Sequence, residues 1–381
     1  MHLIRATEDF VLKTLPYPGF PILLHEDMSS AEAANAFMRY YLTRGSISSK
    51  QSWPPTGRAM YDYFSFLEAN ELHWQDVHRG DEQTLVGAYR DYSLDIAKLA
   101  RNTVRQRLIY ICEFYVYALH QKWVDALPFV MEERRAPKQE TFLAHLDTSD
   151  GTVKTRDVSP KAKKSLPKFL SKSEVKALLA ATRNPHHQMI LRLGLQAGLR
   201  REEIATFPLA YVFNPDATDR TERNICIHLD PQDGHGIRTK GSKPRDIYVT
   251  RSFLKDLYFY SAHQRGELSQ LSTENHKSLI LNRDGMPYAD NGKRLHRVVS
   301  TIGAEAGIKV FPHMLRHTYA THTLNAMQQG KSTINPLIYL QRQLGHESIK
   351  TTVIYLHLVN SIADDAVLAY DEEINSWMHE G

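Results

Sequence analysis

The chain has 381 residues, 42% of them hydrophobic, and a formal net charge of +4. This composition fits a globular protein of about two domains and excludes a disordered chain or a small disulfide scaffold. Cys112 and Cys226 lie far apart and in no ligand spacing, which argues against a zinc site and for a reducing compartment. No signal segment and no apolar run of about 18 residues occurs, so we predict a cytoplasmic protein without a membrane span.

The first part of the chain is predicted to be helical. We assign residues 1–28 to an N-terminal extension and residues 29–125 to a bundle of four helices. Ser29 and Glu32 have the form of a capping box for the first helix. Thr56 is expected to cap the second, and the third is expected to span residues 82–98. The fourth shows the clearest amphipathic stripe, formed by Val104, Leu108, Ile111, Tyr115 and Ala118.

A basic, proline-containing stretch follows this bundle, and we assign residues 126–168 to an interdomain linker. Its lysines include Lys161, Lys163, Lys164 and Lys168. A solvated linker is the ordinary explanation of such a run, and a segment that follows nucleic-acid phosphates is the alternative. Arg101 and Arg105, at the start of the fourth helix, are further candidates for phosphate contacts, although solvated arginines are more common.

Residues 169–360 are predicted to form a second domain, followed by a C-terminal helix at residues 361–381. Ser171 and Glu174 predict a capped first helix, and Gly198 is expected to end the next one. Strands are predicted at residues 224–229, 246–250 and 278–282, and helices from about residue 293 onward. The fold class is therefore mainly α with a small antiparallel β-sheet.

Arg200 and Glu203 follow Gly198 and lie three residues apart, which places them on one helical face. The carboxylate would hold the arginine in one rotamer. An ordinary surface salt bridge is the alternative explanation of the pair.

A basic turn is predicted between the first two strands. It contains Lys240 between residues that favour turns, followed by Lys243 and Arg245. A lysine at such a tip can give a proton to a leaving oxygen, and its neighbours can contact backbone phosphates. The order of glycine, serine and lysine here does not fit a nucleotide-binding P-loop. A flexible surface hairpin is the alternative.

His313, Arg316 and His317 begin a helix after Pro312, a favourable first-turn residue. The two histidines, four residues apart, could bind zinc, but the glutamate of a His-Glu-x-x-His motif is missing. Two cationic side chains at a helix N-terminus better fit a phosphate clamp.

Gly345 is expected to end one helix, leaving His346 at the turn and Tyr355 on the next helix. An enzyme that cuts phosphodiesters without a metal needs fixed cations, a proton donor and a side-chain nucleophile. The segment from His313 to Tyr355 contains all these residue types. A core aromatic is the default explanation for a tyrosine in such apolar surroundings.

In this order, the motifs resemble those of tyrosine recombinases of the phage integrase and Xer type. The resemblance covers about residues 170–357, and the helices before it are similar to the family's core-binding domain. It implies a two-domain protein in which a helical, DNA-binding core-binding domain precedes an α+β catalytic domain. The interval between Arg200 and Lys240 is longer than in compact members, which leaves the choice between Lys240 and Lys243 open.

The resemblance also implies roles for the residues. Tyr355 would attack the scissile phosphate to form a 3′-phosphotyrosyl bond, and Lys240 would protonate the leaving 5′-oxygen. Arg200 and Arg316 would hold the non-bridging oxygens. His313 would act in proton transfer or bind the phosphate.

The remaining two roles are supporting ones. His346 would donate to a phosphate oxygen, and Glu203 would orient its neighbours.

The partners implied by the resemblance are double-stranded DNA recombination sites, on which a tetramer, or a pair of related recombinases, exchanges strands through a Holliday junction. No cofactor, metal or ATP is expected. The C-terminal helix is expected to dock on a neighbouring protomer or to pack in its own domain. A type IB topoisomerase, an inactive DNA-binding regulator and a metal-dependent nuclease are the alternative functions.

Overall fold

The structure is a computed structural model of the chain. It describes residues 1–12, 14–44, 50–80, 82–135, 152–161, 166–218, 221–289, 292–329, 335–349, 351–356 and 358–359. The chain divides into two compact units, Met1–Lys164 and Ser165–Gly381, each with its own hydrophobic core. Within the described ranges, no helix combines the length and apolar character needed to cross a membrane. The predicted C-terminal helix at 361–381 lies outside these ranges.

The first unit opens with short strands where the sequence predicted only an extension. They are β1 (His2–Arg5), β2 (Val11–Leu12), β3 (Leu15–Pro16) and β4 (Pro21–Leu24). β1 pairs with β4 and β2 with β3, each pair antiparallel. Phe20 and Leu23 are fully buried in the core of this unit, so the extension is part of its fold.

Among the described residues, four α-helices form the body of the first unit. They are α1 (Glu32–Thr43), α2 (Trp53–Ala69), α3 (Leu85–Asp91) and α4 (Arg101–His120). The predicted stripe of the fourth helix is confirmed, because all five of its residues are buried. Phe114 of α4 contacts Phe37, Phe64 and Trp74 edge to face. Buried aromatic side chains of this kind remove large apolar areas from water and so stabilise the core.

Two predicted helix caps are wrong. Ser29 does not cap α1, whose cap is Ala31 without a side-chain bond, because the Ser29 hydroxyl donates to Asp27 instead. Thr56 lies inside α2. That helix starts at Trp53, four residues earlier than a cap at Thr56 would place it, because a proline in its first turn favours helical φ there. The third helix starts later than predicted and is capped by Thr84.

The segment predicted as a linker contains a hairpin. Its strands, β5 (Met131–Arg135) and β6 (Thr152–Arg156), pair antiparallel with Met131 opposite Arg156. The Arg156 guanidinium donates to Glu113 of α4 at 2.7 Å. Through Arg156 this hairpin is joined to α4 of the first unit.

In the part of the second unit that the structure describes, helices surround one two-stranded sheet. The helices are α5 (Lys172–Ala180), α6 (Pro185–Ala197), α7 (Arg201–Ala205), α8 (Arg251–Ala262), α9 (Gln264–Ser269), α10 (Lys293–Glu305), α11 (Pro312–Gln329) and α12 (Pro336–Leu344). Residues 351–356 are also helical. α6 and α11 cross closely at Gly194, where a Cβ atom would lie 2.8 Å from Leu315.

The sheet of the second unit is formed by β7 (Asn224–Leu229) and β8 (Arg245–Thr250), which run antiparallel. The strand predicted at residues 224–229 is confirmed, and its residues alternate between exposed and buried. The predicted strand at residues 278–282 is wrong, since Ser278 and Leu281 form only isolated bridges. The capping box of Ser171 and Glu174 is confirmed in both of its hydrogen bonds.

Candidate active site

Arg200 and Glu203 are held together at the start of a short helix. Gly198 ends α6 in the left-handed region, with φ of +63°, where glycine carries no steric cost. Arg200 then caps α7. Its backbone N–H donates to Glu203 Oε2 at 2.7 Å, and its Nη1 donates to Glu203 Oε1 at 3.0 Å. The carboxylate thus fixes the arginine side chain, as the spacing predicted.

Glu203 is completely buried and bonded to a second arginine. Arg245 Nη2 donates to Glu203 Oε2 at 2.6 Å. Burial raises the pKa of the Glu203 carboxyl, but the guanidinium groups of Arg245, Arg316 and Arg200 outweigh burial and lower it. We call these four residues the arginine cluster. One carboxylate faces three guanidinium groups, so the cluster carries an excess of positive charge.

Arg245 does not occupy the position expected of a DNA contact. Its side chain is 7% exposed, and its guanidinium also donates to the main-chain carbonyl of Gln343. Gly345 makes room for it, because a Cβ atom there would lie 2.4 Å from Arg245 Cδ. The side chain therefore belongs to the buried part of the arginine cluster, paired with Glu203, and does not face solvent.

Arg316 is 1% exposed and bonds to the ends of two helices, α6 and α12. Its Nη1 donates to the Gly198 carbonyl at 2.6 Å, and its Nη2 donates to the Leu344 carbonyl. Burial, followed by the like charge of Arg200, lowers the pKa of Arg316 to about 9. The guanidinium stays protonated at neutral pH, and an anion that approaches such a buried cation stabilises its charge.

The basic turn presents two exposed lysines that differ in their surroundings. Lys243 Nζ donates to Glu347 at 2.6 Å, in a pair that is largely exposed to solvent. The charge of Lys240 instead contributes to lowering the pKa of His313. Of the two lysines, Lys240 is therefore the one within electrostatic range of His313.

His313 and His317 lie one turn apart on α11, with ring centroids 4.3 Å apart in an edge-to-face contact. His313 is exposed at one edge, yet surrounding protein lowers its pKa, with Arg316, Arg200 and Lys240 adding to the effect. The described residues contain no cluster of three or more side chains suited to hold a metal ion.

Tyr355 and His346 complete the site. Tyr355 is 2% exposed, and its ring stacks on the His346 ring with an interplanar angle of 5°. The Tyr355 hydroxyl lies 2.8 Å from His317 Nδ1. Burial raises the pKa of the phenol, while Arg316 and Arg200 lower it in part. The hydroxyl is therefore protonated at neutral pH.

His346 follows the left-handed Gly345 that ends α12, as the sequence predicted. Its Nδ1 lies 3.0 Å from the hydroxyl of Thr352. Burial, with Arg316 and Arg200, lowers the pKa of His346 to about 3. The imidazole is therefore neutral, and a neutral ring can donate one hydrogen bond and accept another.

The second unit thus brings seven predicted residues into mutual contact or electrostatic range, namely Arg200, Glu203, Lys240, His313, Arg316, His346 and Tyr355. A phenolic hydroxyl stands beside an imidazole acceptor and within the field of two arginines. Such a set can bind a phosphate and activate a hydroxyl next to it.

The predicted phosphate contacts outside this site are dispersed. Arg101 is exposed and Arg105 half-buried on α4, while Lys161 and Lys168 are exposed. Lys163 and Lys164 lie outside the described residues. Nothing in the described geometry assigns a ligand to these side chains.

Sequence reasoning missed two supporting residues. Gln343 is fully buried, accepts from the Tyr248 backbone N–H at 2.7 Å and donates to the Ala197 carbonyl at 3.3 Å, which joins α12 to β8 and α6. For His317 the sequence predicts only a possible role as a zinc ligand. The sequence offers one indication that His317 lies in the site: it directly follows Arg316. Nothing along the chain indicates its contact with Tyr355.

The chain belongs to the phage integrase family, whose sequence model matches residues 168–361. This match covers just over half of the chain and includes the whole site. The protein is therefore an enzyme of the tyrosine recombinase class.

Curated relatives agree with this assignment. The chain is 26% identical to tyrosine recombinase XerA of Pyrococcus horikoshii over 72% of its own length and 89% of the relative. It is 27% identical to tyrosine recombinase XerD of Halalkalibacterium halodurans over 76% of its length and 92% of the relative.

A solved structure shares the fold. The XerH site-specific recombinase, bound to palindromic difH substrate in a post-cleavage complex, matches with a TM-score of 0.56 at 16% identity. The match covers 84% of this chain and 80% of that one. The predicted fold class, a mainly helical two-domain recombinase, is confirmed.

Proposed function

We propose that the protein is a site-specific DNA recombinase that cleaves and rejoins strands through a 3′-phosphotyrosyl intermediate and a Holliday junction. It needs no ATP, because the phosphotyrosyl bond retains the energy of the phosphodiester, and no metal, because fixed guanidinium groups supply the positive charge. The observation that carries the proposal is the arginine cluster, with its excess of buried positive charge, beside the hydroxyl of Tyr355.

The charge of the site matches a phosphodiester. Arg200 and Arg316 bind the two non-bridging oxygens, because guanidinium groups donate paired hydrogen bonds to such oxygens. Glu203 and Arg245 act indirectly, by positioning Arg200. The Glu203 carboxylate orients Arg200 through two hydrogen bonds, and Arg245 holds that carboxylate in place.

The nucleophile, Tyr355, and the general acid, Lys240, lie on different secondary-structure elements. Tyr355 attacks phosphorus from its helix, and Lys240 of the exposed turn gives a proton to the leaving 5′-oxygen. His313 and His346 contact the phosphate, where each neutral ring donates one hydrogen bond. A 5′-hydroxyl of a partner duplex reverses the step and completes strand exchange.

The first unit acts as the core-binding domain. Exposed Arg101, half-buried Arg105 and exposed Lys161 of this unit contribute phosphate contacts, and so does Lys168 of the second unit. Such contacts position a protein on DNA without reading its sequence. Lys163 and Lys164 extend the same basic stretch. The functional parts of the chain are then an N-terminal extension (1–28), the core-binding domain (29–125), an interdomain linker (126–168), the catalytic domain (169–360) and a C-terminal segment (361–381).

Recombination takes place in a tetramer on two sites, formed by this chain alone or with a related recombinase. The C-terminal segment 361–381 docks on a neighbouring protomer. Deleting it should weaken assembly on paired sites more than binding to a single site, as measured by band-shift titration. Equal loss of both would contradict this role.

Trapping a covalent adduct tests the chemistry. A duplex nicked beside the cleavage point loses a short fragment after attack, so the adduct accumulates. Wild type should form it in excess chelator, and Tyr355→Phe should bind DNA but form none. The matched control Tyr258→Phe, on α8, should react normally. Adducts in Tyr355→Phe would remove Tyr355 as the nucleophile.

Two labelled duplexes extend the test to strand exchange. Recombinant products are expected only when both carry the target site. Relaxation of supercoiled plasmid without any recombinant product would instead indicate a topoisomerase.

A further inference from the structure

The hydroxyl of Tyr355 has one defined hydrogen-bond partner in the described part of the site. It lies 2.8 Å from Nδ1 of His317, a residue 38 positions earlier in the chain. The phenol must lose its proton when its oxygen bonds to phosphorus. The group that already contacts this proton is therefore the first candidate to receive it.

His317 can accept that hydrogen bond because its imidazole is neutral. Burial, the neighbouring His313 and the charge of Arg316 lower its pKa to about 3. The protonated phenol of Tyr355 then donates, and Nδ1 of His317 accepts. This assigns the single imidazole proton to Nε2.

The other two histidines of the site are less well placed for this proton. The His346 ring lies parallel to the Tyr355 ring, offset by 6.2 Å between centroids, and its Nδ1 contacts Thr352. His313 packs against the ring of His317. Of the three imidazoles, His317 alone has a described hydrogen bond to the phenolic oxygen.

We propose that His317 is the catalytic residue that takes the proton of Tyr355 during strand cleavage, an inference that rests on the proposed function. The phenolic proton moves to His317 Nδ1 while the Tyr355 oxygen bonds to phosphorus. The bond from phosphorus to the 5′-oxygen breaks, and that oxygen takes a proton from Lys240. Rejoining reverses each transfer, so no proton or electron is left unaccounted for.

The surroundings of His317 couple this transfer to bound DNA. The charged groups that act on it are His313 when protonated and Arg316 on its own helix, with Arg200 contributing to the same field at Tyr355. Without DNA, these positive groups disfavour protonation of the His317 imidazole. A phosphodiester adds negative charge between the guanidinium groups, so His317 becomes a better proton acceptor only when substrate is in place.

The test compares His317→Asn, His317→Ala and wild type in single-turnover cleavage of the nicked duplex. Asparagine places an amide atom near the position of Nδ1, so it can accept a hydrogen bond but cannot take a proton. Both variants should form adduct about 100-fold to 10,000-fold more slowly, with DNA affinity within about twofold of wild type.

A control and a second substrate separate the roles. His322→Gln changes another histidine of α11, which contacts the Leu170 carbonyl at 2.8 Å, and should cleave at the wild-type rate. A substrate with sulfur in place of the bridging 5′-oxygen needs no proton on its leaving group. It should restore cleavage by Lys240→Ala but not by His317→Asn.

The outcomes distinguish this inference from the function on which it rests. Adduct formation by His317→Asn at the wild-type rate, or its rescue by the sulfur substrate, would overturn the role of His317 and leave the recombinase intact. Absence of adduct with wild type on its own target site would overturn both. Melting temperatures of the variants within a few degrees of wild type exclude misfolding as the cause of slow cleavage.

Discussion

Replacing Glu203 by glutamine tests the charge balance of the arginine cluster. The substitution keeps the side-chain volume but removes the negative charge that faces Arg200 at 3.0 Å and Arg245 at 2.6 Å. Removing one partner of a buried ion pair costs about 3–5 kcal/mol, because the remaining charge stays buried without compensation. The free energy of unfolding of the second unit should fall by that amount.

Calorimetry of the whole chain measures this loss. For a unit of this size, each kcal/mol shifts the melting temperature by about 2–4 °C, so a decrease of roughly 6–20 °C is expected. Added sulfate should restore more stability to Glu203→Gln than to wild type, since the anion compensates the unpaired guanidinium groups.

The matched control is Glu347→Gln. Glu347 also pairs with a cation, Lys243, but 78% of its side chain is exposed. Its replacement should leave the melting temperature unchanged within the error of the measurement. A loss below about 1 kcal/mol in Glu203→Gln would refute the reasoning, because the three arginines would then not depend on the carboxylate.

Three further outcomes follow from the site. The pKa of Glu203 is lowered in the folded protein, so wild type should lose stability as the pH falls below about 4.5, the ordinary pKa of a glutamate. Over the same pH range, the urea concentration at the unfolding midpoint should fall less for Glu203→Gln. Gly198→Ala should be more destabilising in urea than Gly234→Ala, because both have positive φ but only the Gly198 Cβ would meet a side chain, at 2.6 Å. Lys240→Ala should slow single-turnover cleavage about 100-fold or more, whereas Lys243→Ala should change it little; the reverse order would reassign the acid.

Local patterns predicted the parts of the fold that depend on a few neighbouring residues. The capping box of Ser171, the left-handed ends at Gly198 and Gly345, and the stripe of α4 all follow from contacts within one or two helical turns. Prediction failed at Ser29 and Thr56, where a competing aspartate and a nearby proline decided where each helix starts.

The sequence by itself determined the family, the order of the site residues and the strands that flank the basic turn, because these are properties of residue type and short spacing. Only the tertiary structure decided that Arg245 is buried against Glu203, 42 positions away, and that His317 meets the Tyr355 hydroxyl. Such contacts join distant segments through the packing of the core, and no periodicity along the chain encodes them. The same packing turns four separate side chains into one positively charged cluster.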